Sequence, residues 1–403
     1  KSERISPFWV GGYPPFSAPS ELYVCATQAE RRNSGQKKED LVKVIDEELD
    51  DSLIDSTYQF EIKQSDDLFL NGRDKHEFCY LCQKLILRKI QKNIQKIYSV
   101  HQTDRNTIIK QMKILLCENV DMWVVRLDVR HFYESINREA ILKKLVEDAR
   151  LSYTTLVLLQ TLFNNPIIAL STGLPRGLGI SAVLSELYMK YFDLSIRRVG
   201  GVYYYARFVD DIIVFCSDQH SANVVMETAK SELSKLGLTL NGKKSYIWDS
   251  TKSNNLVYLG YAFNKVGKSL DIAIAEKKIK KVKTKLTKAF VRFAKDRNFD
   301  LLKMRIKFLT GNFTIYREDT LLPIKVGIYF NYRMATNMTG VNDLDRFYQR
   351  LLHCQRGRLG SRLRLAKDKL RDLEKYSFRF GFEHHVNHHF TKEQLRTITN
   401  CWL

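Results

Sequence analysis

Two adjacent carboxylates set between two apolar runs constrain this chain more than any other feature. The segment Tyr203-Tyr-Tyr-Ala-Arg-Phe-Val-Asp-Asp-Ile-Ile-Val-Phe215 reads as a strand over Tyr203 to Phe208, a very tight turn at Val209, Asp210 and Asp211, and a second strand over Ile212 to Phe215. An Asp-Asp turn on a surface is common and needs no partner. Two anions held close together against a core are expensive, and a divalent cation is the simplest compensation.

A second carboxylate signal lies upstream. Trp123, Val124, Val125, Leu127 and Val129 form a short β-branched run of the kind that makes a buried strand, and it carries Asp128 at its end. Two aromatics, Phe132 and Tyr133, follow Asp128 in the run Arg126-Leu-Asp-Val-Arg-His-Phe-Tyr-Glu-Ser-Ile136. Phosphoryl transfer between nucleotides uses two magnesium ions about 4 Å apart, and carboxylates from two neighbouring strands can hold both. A third signal, Gly173-Leu-Pro-Arg-Gly-Leu-Gly-Ile-Ser181, is a glycine-rich loop opening a helix. Its small residues permit close backbone approach to a base pair or sugar, although an ordinary helix start reads the same way.

Around these segments the periodicity alternates between helix and strand. A charged helix is expected from about Glu39 to Leu53, after an irregular stretch from residue 1 to 40 broken by Gly11, Gly12, Pro14, Pro15 and Pro19. An amphipathic helix spans 76–98, with Phe78, Leu81, Leu85 and Ile86 on one face. Thr103 or Asp104 caps the next helix, to about Leu116. After Asp128, helices follow from about Asn137, over 151–164, from Ser181 to Arg197 and from Ser221 to Leu236, then a strand or hairpin from Leu256 to Phe263. Beyond Ile274 the chain reads as helical and basic. This order predicts an α+β layer rather than a doubly wound parallel sheet.

In this order the segments resemble motifs A, B and C of reverse transcriptases. Phe208-Val-Asp-Asp211 matches the aromatic-x-Asp-Asp box, and Leu174-Pro-x-Gly177 followed by Ser181 matches the Leu-Pro-Gln-Gly-x-x-x-Ser loop. Asn241-x-x-Lys244-Ser resembles motif D, and Tyr258-Leu-Gly-Tyr261 the primer-grip box. The resemblance covers roughly residues 100 to 265. It implies a right-hand polymerase with an N-terminal extension over 1–75, fingers and palm over 76–270, and a basic, helical, thumb-like region over 271–403. It further implies that Asp128, Asp210 and Asp211, with the Val129 carbonyl, hold two Mg²⁺ ions, for which Mn²⁺ could substitute. Tyr133 would be the steric gate against a ribose 2′-hydroxyl, and Lys244 a general acid toward pyrophosphate. Arg105 would contact triphosphate or template, and Arg176, Gly177 and Ser181 the nascent base pair. Arg176 stands where most of the family has Gln, which bears on how that pair is contacted.

The substituted loop and Ser185-Glu-Leu187 look more like the bacterial defence-associated and abortive-infection reverse transcriptases, among them a type-three group, than like retroviral or group II intron enzymes. No endonuclease or RNase H signature is present. The implied activity is RNA-directed DNA synthesis in antiphage defence. The alternatives are an RNA-dependent RNA polymerase and a catalytically silent RNA-binding scaffold, and Tyr133, the Tyr-Leu-Gly-Tyr box and the complete carboxylate set weigh against both. The implied partners are an RNA template or associated noncoding RNA, deoxynucleoside triphosphates and a DNA product, with a partner protein or a homo-oligomer completing the machine.

Composition agrees with a polyanionic partner. The 403 residues carry a formal charge of +20, and each Lys or Arg placed near a phosphate releases condensed counterions. Basic residues crowd the stretch from Lys277 to Lys307, where Ile279, Val282, Leu286 and Phe290 recur at helical spacing, and again between Arg356 and Arg371. No apolar run reaches the ~18 residues of a membrane span, no N-terminal signal pattern shows, and the seven scattered cysteines fit reduced thiols, so a cytoplasmic location is expected. His76, Cys79 and Cys82 lack a fourth zinc ligand of matching spacing, and Cys79 and Cys82 read as small apolar residues on a helix. The cluster His384, His385, His388 and His389 offers i,i+4 pairs on a helix and reads as a solvated or RNA-facing surface rather than a metal site.

Overall fold

The computed structural model describes residues 59–64, 68–70, 77–118, 120–266, 269–316, 323–363 and 365–402. The expected helix from Glu39 to Leu53, the irregular first 40 residues and His76 lie outside them, as do the side chains of Phe78, Cys79, Leu81 and Cys82. The chain forms two compact units that interleave in sequence. One takes residues up to Thr103 with Trp123–Ile247, the other Asp104–Met122 with Trp248 onward.

In the first unit, β1 (Ile62–Gln64) and β2 (Leu68–Leu70) form a small antiparallel pair, and α1 (Glu77–Tyr98) buries Leu85, Ile86, Ile90 and Ile94. The next helix, α2 (Arg105–Cys117), belongs to the second unit and is capped, as expected, by Asp104, whose carboxylate accepts from the Thr107 N–H at 2.9 Å. The chain returns as β3 (Trp123–Arg130), then α3 (Phe132–Ser135), α4 (Arg138–Glu147), α5 (Tyr153–Asn164) and α6 (Pro166–Ala169). The long α7 (Gly179–Arg197) leads to β4 (Val202–Phe208) and β5 (Asp211–Cys216), then α8 (Gln219–Lys235), β6 (Thr239–Leu240) and β7 (Tyr246–Asp249).

The sheet runs β4-β5-β3-β6. Val124, Val125, Leu127, Ile212, Ile213, Val214 and Phe215 are all buried, so its middle strands read as continuous apolar runs instead of alternating. Helix α7 packs on β4 and α8 on β3. Between α7 and β4 lies a buried ionic cluster. Arg207, 3% exposed at its side chain, is bidentate to Glu186 and also donates to Asp193 at 2.7 Å, while the Tyr205 hydroxyl donates to Asp193 at 2.6 Å.

In the second unit, β8 (Asn255–Tyr258), β9 (Tyr261–Val266) and β10 (Ser269–Ile274) form an antiparallel meander. Tyr258 pairs with Tyr261, so Leu259 (φ 43°) and Gly260 (φ 85°) make a two-residue turn with both centres at positive φ, the geometry that fits strand twist. Then come α9 (Glu276–Asp296), α10 (Phe299–Thr310), β11 (Asn312–Tyr316), β12 (Pro323–Gly327), α11 (Ile328–Tyr332), α12 (Thr339–Leu352), α13 (Gly357–Leu363), α14 (Lys367–Glu374), α15 (Phe378–Glu383), β13 (Asn387–His388) and α16 (Lys392–Thr399). The region after Ile274 is therefore not all helix, because β12, β11 and β13 form a second small sheet.

Helix α9 buries Ile279, Leu286 and Phe290 as its spacing predicts. Its cations are less uniform than a solvated face. Lys283 pairs with Asp343, Lys285 lies over the Trp402 ring at 4.8 Å, and downstream Arg305 is buried and donates to the Ile398 carbonyl. Lys277, Lys278, Lys281 and Lys295 remain exposed. The four histidines do not share a helix. His384 ends α15, His385 takes a positive φ of 50° with its ring 3.6 Å from that of Tyr329, and His388 lies in β13. No described helix is long and apolar enough to cross a membrane.

The ionic cluster yields a stability prediction. Arg207→Met leaves the half-buried Glu186 and Asp193 without the cation that pairs them, a loss of up to about 3–5 kcal/mol, the range for a buried pair. Urea unfolding monitored by circular dichroism is expected to show that loss, and a change below about 1 kcal/mol would assign the cluster no structural weight.

Candidate active site

The sheet register builds the site. Asp128 lies directly opposite Asp211 across β3 and β5, and the Val129 N–H donates to the Asp210 carbonyl at 3.1 Å. Pairing of Phe208 with Asp211 leaves Val209 and Asp210 as a two-residue turn. Val209 holds a φ of 60°, a strained backbone for a β-branched residue, and its carbonyl accepts from Arg207 Nη1 at 3.3 Å. Asp128 and Asp211 on adjacent strands and Asp210 in the turn between β4 and β5 thus lie at one end of the sheet.

Burial and mutual repulsion set their charge. Burial pushes the Asp210 carboxyl up, and Asp211 and Asp128 push it further. Burial also raises Asp211, against the opposing pull of Arg126. Two cations answer this charge. Lys244 Nζ lies 3.1 Å and 2.9 Å from the two Asp128 carboxylate oxygens, and that contact raises its own pKa. Arg126 Nη2 stands 3.4 Å from Asp211 Oδ1.

The turn carrying Lys244 is fastened to β3 by its backbone. The Asn241 N–H donates to the Asp128 carbonyl at 2.8 Å, the Asn241 carbonyl accepts from Lys244 and Ser245, and Ser245 Oγ accepts from the Asp128 N–H at 3.1 Å. Sequence reasoning passed over Arg126 and Ser245. For Arg126 a signal existed, since it stands two residues before Asp128 and so shares its face of the strand.

Carboxylates are the donors that a hard divalent cation prefers. Among the described residues no three His, Cys, Asp or Glu side chains stand as a group that could hold a metal ion; Lys244 contacts Asp128 and Arg126 contacts Asp211. Bound ions would take over the neutralisation that these cations provide.

The glycine-rich loop is joined to α3. The Leu174 N–H donates to the Tyr133 carbonyl at 2.8 Å. A Cβ on Gly173 (φ 70°) would stand 2.1 Å from that carbonyl oxygen, so the position admits only glycine. Ser181 Oγ, buried, donates to the Pro175 carbonyl at 2.6 Å and ties the loop to the first turn of α7, while Gly177 takes a φ of 93°. Arg176 Nε donates to Glu134 Oε1 at 2.7 Å, with its guanidinium 5.4 Å from the Tyr133 ring centroid. Arg105 belongs to the second unit. There Nε and Nη2 donate to the Leu259 carbonyl at 3.1 Å and 2.6 Å, and Nη1 donates to the Asn331 carbonyl at 3.0 Å.

A sheet with three carboxylates at its end, a glycine-rich loop and a lysine-bearing turn is the arrangement that the sequence resemblance leads one to expect of a right-hand polymerase fold. Residues 78–263, a little under half the chain, match the family model described as reverse transcriptase (RNA-dependent DNA polymerase). No curated protein matches the chain.

Solved structures similar to it include apo telomerase from Candida tropicalis truncated from its C-terminal domain, at 14% identity and a TM-score of 0.39, covering 54% of this chain and 55% of that one. Telomerase from Candida albicans in complex with a TWJ fragment of telomeric RNA aligns at 13% identity and a TM-score of 0.36, covering 78% of this chain and 53% of that one. The chain thus spans about half the length of these telomerases, and likeness at such scores adds nothing to what the site shows.

The carboxylate chemistry fixes a pH-dependent outcome. An acid whose folded pKa is raised weakens the fold while ionised and ceases to do so as pH falls through that pKa. In chelator, Asp210→Asn is therefore expected to raise the melting temperature at pH 7.5, with the gain shrinking toward pH 5. A melting temperature below wild type at pH 7.5 would contradict the charge description.

Proposed function

We propose that this protein is a reverse transcriptase that extends a DNA strand on an RNA template by two-metal nucleotidyl transfer. The observation that carries the reading is the register placing Asp128 opposite Asp211, with Asp210 in the adjoining turn and Lys244 on Asp128. Asp128, Asp210, Asp211 and the Val129 carbonyl would hold the ions, Mg²⁺ with Mn²⁺ as substitute, which supply activation of the primer hydroxyl and neutralisation of the triphosphate. Lys244, freed from Asp128, would donate a proton to departing pyrophosphate. Tyr133, in α3 just after the Asp128 strand, would lie beneath the incoming sugar. Gly177 and Ser181 shape the loop that faces the nascent pair, and Arg105 acts by fastening the Tyr258-Leu-Gly-Tyr261 turn.

The exposed lysines of α9 and the exposed Arg356, Arg362, Lys367, Lys369 and Arg371 suit a nucleic-acid backbone, which supports the thumb-like role of the C-terminal region. We read the biological setting as antiphage defence in a bacterial cytoplasm, with a noncoding RNA or a partner protein. The support is the substituted loop around Arg176 and the Ser185-Glu-Leu187 sequence, both of which resemble the defence-associated group.

The test is incorporation of labelled deoxynucleotides on a primed RNA template in Mg²⁺. Wild type is expected to extend, and Asp211→Ala to lose about 10³-fold in rate, the several kcal/mol that a catalytic metal supplies. Extension with ribonucleotides alone would shift the reading to an RNA polymerase. Undiminished extension by Asp211→Ala would overturn the site.

A further inference from the structure

Arg176 and Glu134 do more than line the loop. Glu134 follows Tyr133 on α3, and Arg176 reaches from the glycine-rich loop to pair with it at 2.7 Å, across the face of the intervening tyrosine. The Arg176 guanidinium lies 5.4 Å from the Tyr133 ring centroid, and Phe132 meets the same ring edge to face at 5.4 Å. The backbone beneath is fixed as well, by the Leu174 N–H on the Tyr133 carbonyl and by the space that Gly173 alone leaves open. The ring of Tyr133 is therefore gripped by the core aromatic Phe132 and by a cation whose own position is set by a carboxylate. A planar guanidinium can stack on a ring and bind a carboxylate through its N–H edge at the same time, which neither Gln nor Lys does equally well.

We propose that Arg176 and Glu134 are specificity-determining positioning residues, which hold the Tyr133 ring in the pose that refuses a ribose 2′-hydroxyl. The inference rests on the reading of Tyr133 as the sugar gate. Steric refusal works only if the ring cannot swing away, so the strictness of the gate is set by what restrains the ring. Glu134 supports this arrangement while ionised, and the Arg176 contact holds its pKa below the usual range, so the clamp stays closed throughout the neutral region.

The experiment measures kcat/KM for one deoxynucleotide and its ribonucleotide on one primed template, in wild type, Arg176→Gln, Glu134→Gln, Tyr133→Ala and the Arg176→Gln/Tyr133→Ala double variant, with thermal unfolding to establish that each is folded. Arg176→Gln and Glu134→Gln are expected to lower the deoxy-to-ribo ratio by about two- to fivefold, the scale of a largely exposed cation–ring contact. In the Tyr133→Ala background Arg176→Gln is expected to have no further effect. If Tyr133→Ala lowers the ratio while both single variants leave it unmoved, the gate stands and the clamp is overturned. An equal effect of Arg176→Gln with and without the Tyr133 ring would also overturn it, since Arg176 would then touch the nucleotide directly. A ratio unmoved by Tyr133→Ala would refute the gate itself, and the clamp with it.

Discussion

The structure is organised around an electrostatic liability: three carboxylates gathered at the end of two paired, otherwise apolar strands. Burial raises Asp210 and Asp211, and each anion worsens the position of the others. A chain that keeps such a cluster needs cations close by at all times. Lys244 and Arg126 provide them in the polypeptide itself, and metal ions would provide them during synthesis. On the reading proposed above, the same groups that make the site costly to fold would hold the divalent metal.

Much of the first unit serves to keep that cluster in register. A two-residue turn with Val209 at positive φ is strained, and it persists because Arg207, fixed by Glu186 and Asp193, also holds the Val209 carbonyl. The Asn241 turn fastens Lys244 through backbone bonds on both sides of Asp128. Joining the glycine-rich loop to α3 through Leu174, Gly173 and Arg176 brings a third segment to the same end of the sheet. In the second unit the same device recurs, with Arg105 holding the Leu259 carbonyl of a two-residue turn.

Features carried by local periodicity were legible in the sequence. The strands around Asp128 and Asp210, the Asp104 cap, the start of α4 at Asn137 and the buried stripe of α9 follow from spacing and capping chemistry that any short window contains. Features that depend on partners distant in sequence were not. The β11–β12–β13 sheet is built from strands of two to five residues, too short for a period to show. The basic run from Lys277 to Lys307 reads as one cationic surface, yet Lys283, Lys285 and Arg305 are taken up by Asp343, Trp402 and the Ile398 carbonyl, partners that no local pattern announces. The histidine cluster misled because i,i+4 spacing means adjacency only on a helix, and the helix ends at Glu383. Glu134 gave no signal, since its importance lies in an arginine on another loop.

Manganese binding, followed by electron paramagnetic resonance in the presence and absence of a deoxynucleoside triphosphate, bears most directly on the claim that the carboxylates at the sheet end are a metal site. Two ions per chain are expected with nucleotide present, and Asp128→Asn, which removes one of the carboxylates that would hold them, is expected to abolish that stoichiometry while the protein stays folded. Wild-type binding by Asp128→Asn, or none by wild type, would contradict the account.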